Sequence, residues 1–346
     1  MLLKNQIVFE RKYGDIYDII RENRKNAGGF YLKEKDPIQL DDRIYLIDGF
    51  DLNVANRTGI YVINEESLTL IETGPSPSVK YVKKGLEKLG FSLEQVKYII
   101  VTHVHLDHAG GAGLLLEACP NATIIVHPRG KRHLIDPKKL IAGAKGVYGD
   151  SFSELFDPVI PVPEDRLLVK TEGDTLRIGP KCTLQFLDTP GHAKHHISIY
   201  DPVSNGMFTG DTVGILYQQV IPNGVDLFLP STSPNHFDPE AMRTSINRMK
   251  AMNLDRIYYG HFGMTEKVEV ALQQVLEWLD VFVEEGEQIM LEKRGYDILA
   301  QRLLERIRES LRKQGIPDEH EVFVIINLDM QVSALGIVDY FQKLKH

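Results

Sequence analysis

Short apolar runs separated by turn residues form the main pattern of the chain from residue 41 onward. Three of these runs, at residues 43–47, 59–64 and 68–71, follow one another closely and predict a meander of β-strands. A second series begins at residue 166, and its turns contain Asp-Pro and Ser-Asn-Gly. The strands predicted in this series are residues 166–169, 175–178, 183–187, 197–200 and 206–209.

Helical periodicity lies between and after these two series. Val82, Leu86 and Leu89 share one face of a helix predicted within residues 75–90, and Asp238 is the predicted N-cap of a helix at 240–252. Two series of strands with helices between and after them predict an α/β fold. Its two sheets would carry helices on their outer faces, which is an αβ/βα sandwich.

The pattern divides the chain into three parts. Residues 1–40 are mixed and charged and are interpreted as an N-terminal arm, and residues 41–263 form one domain. Residues 264–346 contain apolar stripes at helical spacing and predict a helical extension. We expect this extension to pack on the domain, where it would act as a lid or form a dimer face.

A dense group of metal-ligand side chains follows the apolar run at residues 98–101. His103, His105, Asp107 and His108 fall within one short stretch, and two glycines then open a helical segment. A turn at the end of a buried strand can direct several side chains into one space. The spacing therefore predicts a site for two adjacent metal ions, in preference to a histidine cluster on the surface.

Three later positions share one local form, in which an apolar run leads to a glycine and then to a ligand-type side chain. His192 follows the strand at 183–187, Asp211 follows the strand at 206–209, and His261 follows an apolar run at 256–259. Residues at the ends of several strands commonly build one site. We therefore expect these three side chains to join the first four.

The order of these seven residues resembles the ligand pattern of the metallo-β-lactamase-fold superfamily, which is His-x-His-x-Asp-His followed by His, Asp and His. The resemblance covers about residues 42–263. It implies a four-layer αβ/βα sandwich and leaves the substrate open. It also implies the ligand sets: His103, His105 and His192 for one ion, Asp107, His108 and His261 for a second, and Asp211 as the bridge.

The resemblance implies two divalent metal ions per chain. Imidazole and carboxylate ligands suit zinc, which is the first expectation, and also iron or manganese. Water between two such ions loses a proton near neutral pH, and the hydroxide attacks an electrophilic carbonyl or phosphorus. Asp107 is the predicted catalytic residue, because it can orient the nucleophile and return a proton to the leaving group.

Three further side chains are candidates for lining the substrate pocket. Tyr148 lies in an insert that lines the pocket in similar proteins, although local packing is the alternative. His195 closely follows a predicted ligand and is placed at the pocket wall. Tyr217 could donate a hydrogen bond to a substrate carbonyl, as a tyrosine near this place does in some lactonases of the superfamily.

Other polar residues near the motif have plainer interpretations. His127 and His133 are expected to have surface or capping roles, and His196 is expected to be buried and hydrogen-bonded behind the ligands. Most superfamily members carry Asp where this chain has Glu72. That position supports the ligands from behind in similar proteins, and the alternative is an ordinary carboxylate at a strand end.

Composition narrows the class of protein. A chain of 346 residues with 43% hydrophobic residues can bury a large core, and a net charge of −8 disfavours a nucleic-acid partner. The two cysteines, Cys119 and Cys182, lie far apart and are expected to be core thiols in a reducing compartment. We find no signal peptide and no apolar run of 18 residues, so we expect a cytoplasmic location and no membrane partner.

The leading hypothesis is hydrolysis of an ester-like bond in a small molecule, either a lactone or a thioester. Lys293, Arg294 and Arg306 could hold an anionic carrier, although a solvated helix face is the simpler interpretation. A phosphodiesterase is the second enzyme class. A diiron redox protein or a metal-binding sensor on the same scaffold is the alternative outside hydrolysis, but residues 264–346 lack the phosphate loop and alternating strands of a flavodoxin.

Overall fold

The computed structural model describes residues 35–345. Most of the predicted N-terminal arm, residues 1–40, therefore lies outside the described residues. The last residues of that range form a short strand on the edge of the first sheet.

The first sheet has seven strands that lie side by side in chain order. The strands at its N-terminal end pair antiparallel, as the predicted meander requires, and the pairings from the fourth strand onward are parallel. The strands are β1 (Ile38–Gln39), β2 (Ile44–Asp48), β3 (Gly59–Ile63), β4 (Leu68–Ile71), β5 (Val96–Ile100), β6 (Thr123–Val126) and β7 (Leu167–Val169).

The second sheet has six strands in the order β15-β14-β11-β10-β9-β8, and a two-stranded ribbon, β12 with β13, lies apart from it. Among the described residues of this sheet, β11 and β14 are the one parallel pair, and a helix lies in the connection between them. The strands are β8 (Thr175–Arg177), β9 (Thr183–Asp188), β10 (Ile197–Asp201), β11 (Gly206–Gly210), β12 (Ile215–Leu216), β13 (Phe228–Leu229), β14 (Arg256–Tyr259) and β15 (Met264–Thr265).

Helices cover the outer face of each sheet. They are α1 (Val79–Lys88), α2 (Leu106–Ala109), α3 (Ala112–Ala118), α4 (Pro128–Ile135), α5 (Lys138–Tyr148), α6 (Phe152–Phe156), α7 (Pro239–Lys250), α8 (Val268–Glu292), α9 (Tyr296–Lys313) and α10 (Val322–Lys343). Apolar side chains of α1 and α3 pack on the first sheet, and those of α7 and α8 pack on the second.

A third apolar layer lies between the two sheets. Ile100 and Ile125 of the first sheet meet Phe186, Phe208 and Tyr258 of the second, and all five are buried. Strands whose residues alternate between this layer and a helix layer must be apolar on both faces. The predicted four-layer αβ/βα sandwich with a helical C-terminal extension is therefore confirmed.

The segment between β6 and β7 is more regular than its sequence indicates. Residues 128–156 are the least regular part of the domain in sequence, with helical character at residues 138–142 that glycines interrupt, and the structure has three helices there, α4, α5 and α6. Gly143 and Gly146 lie inside α5, where an added Cβ atom would meet nothing within 4 Å. Packing of the apolar side of this segment thus outweighs the low helix propensity of glycine.

Helix α10 has the length and apolar composition of a membrane-spanning helix, which the sequence pattern did not lead us to expect. In its most apolar window, 61% of the residues are buried inside the protein. The helix packs against α8 and α9, and it buries Asp329 and Ser333 on its inner side. These contacts are those of a core helix.

Candidate metal centre

The seven predicted ligands come together at the strand ends of the two sheets. His103, His105 and His192 form one group and Asp107, His108 and His261 form another, with ligand atoms in each group within 4.8 Å of one another. The first of these side chains follow β5, and short helix α2 turns Asp107 and His108 inward. The others follow β9, β11 and β14 of the second sheet.

Asp211 contacts both groups. Its Oδ1 lies 3.2 Å from Nε2 of His108, and its Oδ2 lies 3.3 Å from Nε2 of His261 and 3.5 Å from Nε2 of His192. Gly210 precedes it with φ +48°, and an added Cβ atom there would lie 2.5 Å from both His196 and Thr102. Glycine at this position therefore allows the end of β11 to approach Thr102 and His196, which lie behind the ligands.

The buried ligand atoms are poorly satisfied by the protein itself. Nε2 of His103 has no hydrogen-bond partner among the described residues, and Nε2 of His108 and Oδ1 of Asp211 face each other at 3.2 Å. An unpaired buried polar atom costs about 1–3 kcal/mol, so the unpaired nitrogen of His103 at this point indicates that something else binds there. Imidazole nitrogens and carboxylate oxygens that converge on one space are typical ligands of a divalent metal ion. The residues present here therefore fit such an ion.

The second ring nitrogen of three histidines is held from behind. Nδ1 of His192 lies 3.0 Å from the carbonyl of Ser231, Nδ1 of His261 lies 3.3 Å from the carbonyl of Arg57, and Nδ1 of His103 lies 3.1 Å from Oγ1 of Thr102. Such contacts fix the tautomer and the ring orientation of a ligating histidine, so Nε2 is presented to the centre.

Glu72 lies behind the centre, at the position where most members of the similar superfamily carry Asp. It accepts a short hydrogen bond from Oγ1 of Thr102, and its Oε1 lies 3.4 Å from Nδ1 of His108. Its backbone has φ +70°, a left-handed conformation that side chains other than glycine adopt rarely. The longer carboxylate thus reaches both His108 and, through Thr102, His103.

The pKa values of the ligand side chains shift in different directions across the centre. Burial lowers the pKa of His103 and His105 well below the ordinary value, which leaves these imidazoles in the neutral form that binds metals. Burial also lowers the pKa of His108, but Asp211 and Asp107 outweigh this effect and raise it well above 6.5. Burial raises the pKa of Asp211, whereas the imidazoles of His261 and His108 together bring it well below 3.8.

The histidines predicted to have supporting roles do have them. The buried ring of His196 accepts a hydrogen bond from the backbone N–H of Asp211 at 3.2 Å, and its other nitrogen lies 2.9 Å from Oγ1 of Thr189. His127 caps α4 by accepting a hydrogen bond from the backbone N–H of Arg129 at 3.1 Å. His133 is half-buried and lies at the rim of the cavity described next.

A cavity of about 490 Å³ opens onto the centre. Its apolar side is formed mainly by α5 and α10, and its polar side includes His195, His236 and Ser231. Tyr148 and His195, two of the candidates for lining the substrate pocket, are among the residues that line this cavity. A volume of this size suits a small-molecule ligand.

Tyr217 does not line the cavity, so its predicted placement beside a substrate carbonyl is wrong. Its ring is buried behind the wall, and its hydroxyl donates a hydrogen bond of 2.7 Å to Asp329 on α10. Asp329 itself lines the cavity, together with Arg57. The sequence contained one signal for Asp329, a single acidic residue inside a long apolar stretch, and no signal for Arg57.

The remaining candidates lie away from the centre. Cys119 and Cys182 are buried, and burial raises the pKa of their thiols to about 11 and about 12, as expected for core thiols. Arg306 lies 3.5 Å from Glu285 on the surface of the extension. Lys293, Arg294 and Arg306 are not among the described residues that line the cavity.

Comparison with known proteins agrees with this architecture. The profile of the metallo-beta-lactamase superfamily matches residues 56–261. A metallo-beta-lactamase fold-containing protein of Sulfurisphaera tokodaii is 28% identical over 224 residues, which cover 63% of this chain and 78% of the relative. Among solved structures, a metallo-beta-lactamase family protein of Thermus thermophilus has a TM-score of 0.62 at 18% identity, covering 89% of this chain and 95% of that chain.

Two relatives with enzyme names match shorter stretches. A hydroxyacylglutathione hydrolase of Idiomarina loihiensis is 30% identical over 173 residues, which cover 49% of this chain and 51% of the relative. An N-acyl homoserine lactonase of Rhizobium radiobacter is 32% identical over 114 residues, covering 33% of this chain and 39% of the relative. This chain thus spans about half or less of each of these enzymes. With the superfamily profile matching more than half of its length, and with the same sandwich fold, the chain belongs to the metallo-beta-lactamase superfamily.

Proposed function

We propose that this protein is a dinuclear metal-dependent hydrolase that cleaves a lactone or a thioester in a small molecule. The contacts of Asp211 are the observation on which the proposal rests. One carboxylate oxygen lies beside His108, and the other lies beside His192 and His261, so a single side chain reaches both ligand groups. A shared carboxylate of this kind suits two adjacent divalent ions, with zinc the first expectation.

The protein's own residues have distinct parts in this reaction. When bound, the two ions would supply a water molecule that is acidic near neutral pH and would polarise the carbonyl of the substrate. Asp107, which is 27% exposed, would orient that water and then return its proton to the leaving group. The hydroxyl of Ser231 donates a hydrogen bond of 3.0 Å to Asp211, and its carbonyl oxygen contacts Nδ1 of His192. Ser231 thus positions two of the ligands relative to each other.

The cavity supports a substrate with an apolar portion. Leu140, Ala144 and Val147 on α5 and Val332 on α10 line the cavity that opens onto the ligands. A lactone or a thioester with a hydrocarbon chain would place its chain on these surfaces and its carbonyl at the centre. The hydrolase and lactonase names of two relatives support the same bond types.

Proton release in a pH-stat tests the proposal, because hydrolysis of lactones, thioesters, phosphodiesters and β-lactams all liberates acid. We expect the zinc-loaded protein to act on a lactone or a thioester and both His103→Ala and Asp107→Asn to lose at least about 100-fold in turnover. Asp136→Asn, an exposed carboxylate outside the ligand set, is the matched control. Turnover that survives in both ligand variants would disprove the metal mechanism, and action on phosphodiesters alone would move the assignment to that class.

A further inference from the structure

A second cluster of imidazoles lines the cavity beside the first ligand group. His105, His195 and His236 offer ring nitrogens within 4.8 Å of one another. The rings of His195 and His236 are 5.1 Å apart and nearly perpendicular, and the rings of His105 and His195 are 5.6 Å apart. His195 and His236 belong to neither ligand group of the proposed dinuclear centre.

One atom of this cluster lacks a partner. The ring of His195 is only 3% exposed, and its Nδ1 makes no hydrogen bond among the described residues. A neutral imidazole nitrogen that is buried without a partner loses its interaction with water and gains nothing in return. The atom therefore indicates a ligand.

One ring nitrogen of His105 is not directed at the first ligand group. Its Nδ1 lies 2.9 Å from Nε2 of His192, on the side of the first ligand group. The two nitrogens of an imidazole point in different directions, so Nε2 of His105 is the atom left for the second cluster.

The loops that carry His195 and His236 are fastened to each other. Ser233 donates a hydrogen bond of 2.9 Å to the carbonyl of His192, and the backbone N–H of Asp238 donates one of 2.8 Å to the carbonyl of Gly191. These bonds lie on both sides of His236 in the chain. The two imidazoles are therefore held near each other before any ligand arrives, which lowers the entropy that binding must remove.

We propose that His195, His236 and Nε2 of His105 form a third metal-binding site in the cavity beside the first ligand group, selective for Zn²⁺ or another ion that prefers nitrogen ligands. When an ion of the centre is bound to Nδ1 of His105, the proton of that ring lies on Nε2, and the third ion would displace this proton to solvent. An ion at this place obstructs the cavity. The site therefore makes excess zinc an inhibitor of the enzyme. The inhibition rests on the proposed function, because it presupposes a hydrolase activity to inhibit. The binding of the third ion can be measured without that activity.

Charge makes this site weaker than the dinuclear one. Burial, with Lys194 and Lys343 nearby, lowers the pKa of His236 to about 4, and burial lowers the pKa of His195 to about 3. Both rings are thus neutral and ready to bind at neutral pH. The same two ammonium groups and the ions of the dinuclear centre repel a further cation, so the third ion is expected to bind at least about tenfold more weakly.

Equilibrium dialysis of the full chain against Zn²⁺, with elemental analysis of the protein, tests the proposal. We expect three ions per wild-type chain at high free zinc, and two in both His195→Gln and His236→Gln. His320→Gln is the matched control, because His320 is a half-buried histidine outside the cavity, and it should keep three. Thermal unfolding of each variant shows whether it is folded.

The outcomes separate this site from the dinuclear centre. His261→Ala removes a ligand of the centre and leaves the third site intact. Saturation of the wild type at two ions, or three ions retained in both glutamine variants, would overturn the third site and leave the proposed function standing. An ion lost in His236→Gln but retained in His261→Ala and His103→Ala supports the third site even if the centre proves not to be dinuclear. Relief of zinc inhibition in His236→Gln would support obstruction of the cavity.

Discussion

Arg57 and Asp329 form a two-point ion pair between positions that lie 272 residues apart in the chain. Nη2 of Arg57 lies 2.6 Å from Oδ1 of Asp329, and Nη1 lies 3.0 Å from Oδ2. Tyr217 donates to the same carboxylate, and the carbonyl of Arg57 lies 3.3 Å from Nδ1 of His261. The C-terminal helix is thus connected to a predicted metal ligand through one residue.

Asp329→Asn should therefore destabilise the fold and lower the metal affinity of the ligand group that contains His261. The side chains of Arg57 and Asp329 are 11% and 5% exposed, and removing one partner of a buried pair costs about 3–5 kcal/mol. Urea unfolding measures this loss, and Zn²⁺ titration measures the affinity. Asp280→Asn, on α8, removes the pair that the 58% exposed Asp280 makes with Arg243 and should cost less than about 1 kcal/mol. Equal losses in the two variants would contradict the assignment.

Glu72→Gln should weaken metal binding and leave the fold intact. The carboxylate supports His108 and, through Thr102, His103, so its charge strengthens both ligands. Loss of a supporting carboxylate of this kind typically lowers metal affinity about 10–100-fold. Competition with a zinc chelator measures the affinity, and an affinity equal to that of the wild type would show that Glu72 is an ordinary strand-end residue.

Asp48 should make stability depend on pH. Burial raises its pKa from 3.8 to about 6, although it accepts hydrogen bonds from the backbone N–H groups of Phe50 and Asn56. A carboxyl group with a raised folded-state pKa stabilises the fold below about pH 4, and that stabilisation is lost as the pH rises through 6.

Asp48→Asn removes this titration. Relative to the wild type, its free energy of unfolding should increase by about 3 kcal/mol between pH 4 and pH 7, since a shift of one unit corresponds to about 1.4 kcal/mol. Urea unfolding across this range gives the comparison, with the exposed Asp255→Asn as control. A constant difference between variant and wild type across the range would count against the buried carboxyl group.

Helix α5 offers a test of glycine placement. Gly146 has open space around its Cβ position and a helical backbone, so Gly146→Ala should stabilise the protein by about 1 kcal/mol. Gly149 ends the helix at φ +54°, and Gly149→Ala should destabilise it although the space around it is equally open. Thermal unfolding of the two variants decides the matter, and stabilisation by both would show that backbone conformation is not limiting here.

The sandwich and the gathering of the ligands could be predicted because short, continuous stretches of the sequence determine both. An apolar run such as residues 98–101 specifies a strand, and the ligand-type residues directly after it specify what lies at the strand end. The strands predicted in the two series begin and end within a few residues of the observed strands β2 to β4 and β7 to β11.

Residues brought in from far along the chain were not predictable in the same way. Tyr217 was placed beside the substrate by its resemblance to a tyrosine of some lactonases, yet its hydroxyl donates a hydrogen bond to Asp329, on a helix that begins more than a hundred positions later. The pairing of Arg57 with Asp329 depends on how the extension docks, and hydrophobic periodicity contains no information on docking partners. The helices of the insert were only partly predictable, because Gly143 and Gly146 interrupt the helical pattern that residues 138–142 begin.

The ligands of the centre come from both halves of the sandwich, one set from the end of β5 and the other from the ends of β9, β11 and β14. Metal ions held there would connect the two sheets, because each sheet supplies some of the ligands. Occupancy would then govern how readily the halves separate, so hydrogen exchange in the strands next to the ligands, including β5 and β11, should report metal loading without any substrate.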